Sequence, residues 1–155
     1  MALRLGLSGD QIARGIEKIR PVEHRLQLIT GSGGITVIDD AFNSNIRGAK
    51  QAFSVLKEMS GSRILVTPGM VELGEQEEEM NREFGRAAAE CCDTAVLVGK
   101  KRSEAISAGM SENGFPNDRI IVVNSLEEAA EHLKSLARPG DTILFENDLP
   151  DNYTE

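Results

Sequence analysis

The sequence predicts an α/β domain of three layers: a mostly parallel, doubly wound sheet between helices, with an antiparallel hairpin at one edge. Three observations carry this. Short and nearly continuous apolar runs at 63–67, 94–98, 119–123 and 142–146 have the character of strands buried on both faces. Amphipathic stretches of helical period separate these runs, the alternation that builds parallel crossovers. Two alternating runs, 25–30 and 35–39, flank Gly31-Ser-Gly-Gly34, the pattern of a hairpin.

The elements follow in chain order. Ser8 and Gln11 form a capping box opening a helix over 9–19, with Ile12, Ile16 and Ile19 on one stripe and Pro21 ending it. Leu3, Leu5 and Leu7 precede it and need a covering surface, so this leading segment is expected to belong to a larger architecture. After the hairpin, a helix over 47–59 presents Ala49, Ala52, Phe53, Leu56 and Met59. Helices over 77–91 and 103–111 follow the next two strands, and Ser125 with Glu128 opens a last helix over 126–137. Arg138-Pro-Gly-Asp141 turns into the final strand, and the acidic tail after Pro150 is expected to fray.

Composition removes several classes of function. A chain of 155 residues suits one domain, large enough to bury a core. Its net charge of −8 opposes a phosphate-backbone binder, and one Tyr with no Trp leaves little for base stacking, so no nucleic-acid partner is expected. No apolar run approaches the roughly 20 residues of a spanning helix, so membrane insertion is not expected. Met1–Leu7 has no apolar core of a secretory leader. Cys91 and Cys92 are neighbours that cannot form an ordinary bridge, and they read as buried, reduced thiols of a cytoplasmic protein. With His24 and His132 as the only histidines, no metal-ligand spacing exists and no metal site is expected in the chain.

In a doubly wound sheet, ligands bind beyond the carboxyl ends of the strands. The residues delivered there are Asp39 to Asn45, Thr67 to Gly74, Gly99 to Arg102 and Glu146 to Asp148. Asp40, Asn43 and Asn45 suit sugar hydroxyls, and the same cluster also suits helix capping. Gly31-Ser-Gly-Gly34 lacks the Gly-Lys-Ser/Thr ending of a phosphate loop and reads as a turn. The run Glu75–Glu79 reads as a solvated helix start, and Lys100-Lys-Arg102 as a solvated basic turn, because cations oppose the dipole at a helix N-terminus. His24 has no partner near it in sequence and reads as a surface or hinge residue.

Glu23-His-Arg-Leu26, Ile38-Asp-Asp-Ala-Phe-Asn-Ser-Asn45 and Pro68-Gly-Met-Val-Glu-Leu-Gly74 stand in an order and at separations that resemble the C-terminal domain of the Mur ligases. The branch most similar is the one joining D-alanyl-D-alanine to a UDP-muramoyl tripeptide in peptidoglycan synthesis. The resemblance implies a Rossmann-like domain over 21–155, with 1–20 the helical tail of the preceding central domain. It also implies ATP and Mg²⁺, with the metal ligands and the phosphate loop in a missing central domain, a missing N-terminal domain beyond it, and no ligation by this chain alone. By the same resemblance Arg25 reaches the nucleotide phosphates in a catalytic role, Asp40 contacts the ribose, and Asn43 lines the cleft beside the nucleotide. Asn43, Asn45, Glu72, Asn147 and Asp148 then face the incoming amine. The sequence departs from the family at Phe42 for Tyr, Ile46 for Pro, Pro68-Gly for Gly-Asp, and Glu146-Asn-Asp148 for Lys-Gly-Ser. Two of these fall where the amine should sit, so its identity stays open. The alternative is a free-standing Rossmann-like module binding a small ligand or a protein.

Overall fold

The computed structural model describes residues 1–42 and 44–147. In chain order the main elements are α1 (Gly9–Ile16), β1 (Gln27–Thr30), β2 (Thr36–Asp40), α2 (Ile46–Lys57), β3 (Arg63–Thr67), α3 (Glu77–Ala89), β4 (Thr94–Val98), α4 (Lys100–Glu112), β5 (Ile120–Val123), α5 (Leu126–Leu136) and β6 (Thr142–Glu146). The sheet order is β1-β2-β6-β3-β4-β5, and every pairing is parallel except β1 with β2. The expected three-layer architecture with an antiparallel edge is therefore present.

Strand alternation sorts the core into two clusters. Ile38, Leu65, Ala95, Leu97 and Leu144 pack beneath α2, α3 and α4 together with Phe53, Phe84 and Ile106. Ile64, Val66, Val96, Val98 and Ile143 face Ala129 and Leu133 of α5. Phe53 and Phe84 meet edge-on with centroids 5.0 Å apart, joining α2 to α3. The tightest helix contact is α3 against α4, where Gly85 and Gly109 abut the carbonyls of Ile106 and Arg82. A Cβ at either glycine would occupy the position of the facing oxygen.

Several ends differ from the sequence expectation. The first helix stops at Ile16 instead of Ile19, since Ile16 and Ile19 lie exposed and no packing sustains the last turn. Its capping box does form, with Ser8 N–H donating to Gln11 Oε1 at 2.8 Å and Gln11 N–H to Ser8 Oγ at 3.3 Å. At α5 only half the expected box exists: Glu128 N–H donates to Ser125 Oγ, but the Glu128 carboxylate accepts from Asn124 N–H and Nδ2 instead. The fourth helix starts three residues early, at Lys100, so the basic triplet is its first turn. Arg102 is buried, not solvated, and its Nε donates to the Pro68 carbonyl at 3.0 Å. That bond outweighs the unfavourable dipole. Gly31–Gly34 makes a tight turn with Gly33 and Gly34 at φ 69° and 78°, as a hairpin connection requires.

Candidate functional site

The carboxyl ends of β2, β3 and β6 meet at one rim, and alternation assigns its residues to two faces. Asp39 and Phe145 leave the sheet on the α5 side, and Asp40 and Glu146 leave it toward α2. On the α5 side, His24, Asp39, Phe42, Leu126, Phe145 and Asn147 line an open groove of about 450 Å³.

Ahead of β1, the segment carrying Arg25 is held in an uncommon conformation. His24 and Leu26 have φ of 56° and 49°, a left-handed geometry that costs free energy for side chains of this kind. Two carboxylates hold it in place. His24 Nδ1 pairs with Asp39 Oδ2 at 2.9 Å, and Leu26 N–H donates to Asp40 Oδ1 at 2.8 Å. Between them Arg25 lays its guanidinium carbon 4.1 Å from the centroid of the Phe42 ring, a cation–π contact. Consecutive Asp39 and Asp40 thus clamp the Arg25 turn from both faces of the sheet. His24, a lone surface residue by sequence, acquires a carboxylate partner fifteen residues away.

Asn147 closes the rim. It is buried at φ 66°, its Nδ2 donates to Gly69 O at 2.7 Å, and its Oδ1 accepts from Ser44 N–H at 3.2 Å. Its own N–H donates to the Asp40 carbonyl at 3.2 Å, so one side chain and one amide join the ends of β2, β3 and β6. Asn147 is therefore engaged in holding the rim together. Asn45 accepts from Gly48 N–H at 3.0 Å as the cap of α2, the capping alternative of the sequence. Glu72 is exposed at φ 62° on the loop after β3, which Asn81 anchors by accepting from Met70 N–H and donating to Met70 O. Asn43 and Asp148 lie outside the described residues.

Sequence reasoning placed Glu146 at the rim but gave it no role in the site. It is 1% exposed, accepts from Ser44 Oγ at 2.6 Å and stands beside Asp40 in register. Burial pushes its carboxyl up to about 8; the Ser44 hydroxyl opposes that rise, and the charge of Asp40 adds a smaller increment to it. The signal was available: Glu146 continues the phase of Leu144, which faces the core. Burial also pushes the Cys92 thiol up to about 12 and raises Cys91, which fits inert core cysteines. Among the described residues, no three His, Cys, Asp or Glu side chains gather to hold a metal ion, and no helix is long and apolar enough to cross a membrane.

Comparison with known proteins agrees with this fold. Residues 24–146 match the family model described as "Mur ligase, glutamate ligase domain". The UDP-N-acetylmuramoyl-tripeptide–D-alanyl-D-alanine ligase of Bacillus subtilis is 28% identical over 90% of this chain and 31% of its own length. Its Escherichia coli counterpart is 30% identical over 82% and 28%. Among solved structures, MurF ligase from Thermotoga maritima in complex with ADP superposes with a TM-score of 0.75 over 95% of this chain and 32% of its own, at 21% identity. The corresponding D-alanyl-D-alanyl ligase from Acinetobacter baumannii gives a TM-score of 0.72 at 26% identity, over 95% and 31%. The chain spans about a third of the length of these relatives. With the family model covering most of the chain and the fold shared, the chain belongs to the Mur ligase family, by its glutamate ligase domain.

Proposed function

We propose that the chain is the C-terminal domain of a cytoplasmic, ATP-dependent ligase of peptidoglycan precursor synthesis. It closes over the nucleotide and presents D-alanyl-D-alanine, or a related amine, to a UDP-muramoyl peptide. The clamped Arg25 turn is the observation that carries this. A strained, carboxylate-held turn that presents a guanidinium at the carboxyl rim suits an anionic ligand arriving from outside the domain. The curated relatives named for this ligation, and a fold neighbour solved with ADP, support the same reading.

In this role ATP supplies the phosphoryl group that turns the peptide carboxylate into an acyl phosphate. Arg25 stabilises negative charge developing at the phosphates, and the Phe42 ring keeps the guanidinium aligned. Asp40, half-buried with one oxygen on Leu26 N–H, has lone pairs left to accept from ribose hydroxyls. Asn43, Asn45, Glu72, Asn147 and Asp148 belong to the amine side, Asn147 by shaping the wall and not by direct contact. Mg²⁺ belongs with the phosphate loop in the central domain. Residues 1–20, with Leu3, Leu5, Ile16 and Ile19 exposed, are assigned to the tail of that central domain.

The test compares the chain alone with a ligase containing it. The chain alone should neither hydrolyse ATP nor form the amide, and turnover by the purified chain would sink the proposal. A panel of amines given to the intact ligase, D-alanyl-D-alanine included, then identifies the acceptor.

A further inference from the structure

We propose that Glu146 is a positioning residue of this rim: it holds a proton against the carboxyl of Asp40, and so fixes Asp40, the Leu26 N–H that Asp40 accepts, and the turn that carries Arg25. The nucleotide part of this rests on the function proposed above; the carboxyl pair itself does not.

Asp40 and Glu146 are register partners across parallel strands, so their side chains leave the same face about 4.8 Å apart. Glu146 Oε1 accepts from Ser44 Oγ, while Oε2 is buried and has no donor among the described residues. Two facing carboxylates would be acceptors only, and an unmet buried oxygen is costly. One proton on Glu146 turns the repulsion into an O–H···O⁻ hydrogen bond to Asp40.

The surrounding charges favour this protonation. From β2 only Asp40 acts on Glu146; Asp39 points to the other face, where it pairs with His24. The loop before α2 contributes the neutral hydroxyl of Ser44. The segment after β3 contributes Thr67 to Met70, none of them ionisable, and Arg102 donates to the Pro68 carbonyl there. Burial and the Asp40 charge raise the Glu146 carboxyl to about 8.

Losing the proton has a defined mechanical result. Glu146 is fully enclosed and held by Ser44, whereas Asp40 is only half-buried. Repulsion therefore displaces Asp40, releases Leu26 N–H and lets the strained turn relax. Arg25 then leaves its working position.

Nuclear magnetic resonance on the whole chain tests this, following the Glu146 and Asp40 carboxyl carbons and the Leu26 amide from pH 5 to 9.5. A Glu146 step near pH 8 is expected, with the Leu26 amide moving at the same midpoint. In Glu146→Gln the step should vanish and the Leu26 amide should keep its low-pH position throughout. A Glu146 carboxyl titrating with ordinary carboxylates, or a Leu26 amide unmoved across the Glu146 step, would overturn the proposal. The wild-type titration decides this even if the variant fails to fold. In a ligase carrying the domain, the KM for ATP should rise about tenfold above pH 8, and Glu146→Gln should abolish that rise. A flat KM beside an intact coupled step would overturn the nucleotide role of Asp40 and leave the carboxyl pair standing.

Discussion

The two ends of the sheet treat their carboxylates in opposite ways. Where the parallel strands begin, Asp141 accepts from Ser62 N–H at 2.9 Å and Arg138 N–H at 2.8 Å. Nearby, Asp93 takes both Arg63 Nε and Nη2 and the Arg63 backbone N–H as well. The hydrogen bond to Arg63 holds the Asp93 carboxyl below its ordinary range. Where the strands end, Glu146 has an oxygen without a donor among the described residues, and Asp39 and Asp40 each give an oxygen to a strained turn. One end lowers free energy; the other stores it where a ligand is expected. Charge at the first end should therefore be read out as stability, and charge at the second as pH dependence and ligand affinity.

The largest effect should come from Glu146→Gln, measured by urea unfolding across pH. The folded chain keeps a proton that the unfolded chain releases in the ordinary carboxylate range, so wild-type stability is full below that range and falls until pH about 8. At up to about 1.4 kcal/mol per pH unit, wild type should lose on the order of 3–4 kcal/mol relative to the variant between pH 5 and 8. Parallel curves for the two proteins would erase the contrast between the ends.

Next in size, Asp141→Ala should cost roughly 3 kcal/mol of unfolding free energy, read as a lower urea midpoint, because two backbone donors lose their acceptor together. It should leave nucleotide affinity unchanged. Asp40→Ala should do the reverse in an intact ligase, raising the KM for ATP by the loss of one charge-assisted bond, about 1.5–3 kcal/mol. Arg25→Ala should lower kcat with little change in stability.

The smallest expected effect is Asp93→Asn, about 1 kcal/mol, since this partly exposed pair is screened by solvent. Its signature is acidic: the Asp93 carboxyl is depressed, so its contribution is present above the ordinary carboxylate pKa and lost as pH falls through the lowered one. The variant and wild type should converge in acid unfolding once pH falls below the lowered Asp93 pKa.

Much of the scaffold was legible from pattern. Strands 63–67, 94–98 and 142–146 fall where their continuous apolar runs require, and Asn45 caps α2 as its residue type favours. What was not legible depends on partners far away in sequence. Arg102 reads as solvated until Pro68 O is brought beside it, and His24 reads as idle until hairpin register sets it against Asp39. Asn147 looks like a ligand contact by position, yet folding uses both ends of its amide internally. Glu146 stands at the boundary of the two cases: alternation marks it as inward-facing, but only the β2–β6 register reveals Asp40 beside it.

The strand order also has a consequence in time. The last of the six described strands to be synthesised, β6, lies between β2 and β3, so the two halves of the sheet cannot join before it emerges. Thr36 pairs with Thr142, and at about 5–20 residues per second a ribosome would take roughly 5–20 s to cover that separation. Through that interval β2 and β3 each present an open edge suited to the wrong strand. Nascent chains stalled before Thr142 should therefore be recognised by chaperones and by proteases, and chains extended far enough for β6 to clear the ribosome should resist both.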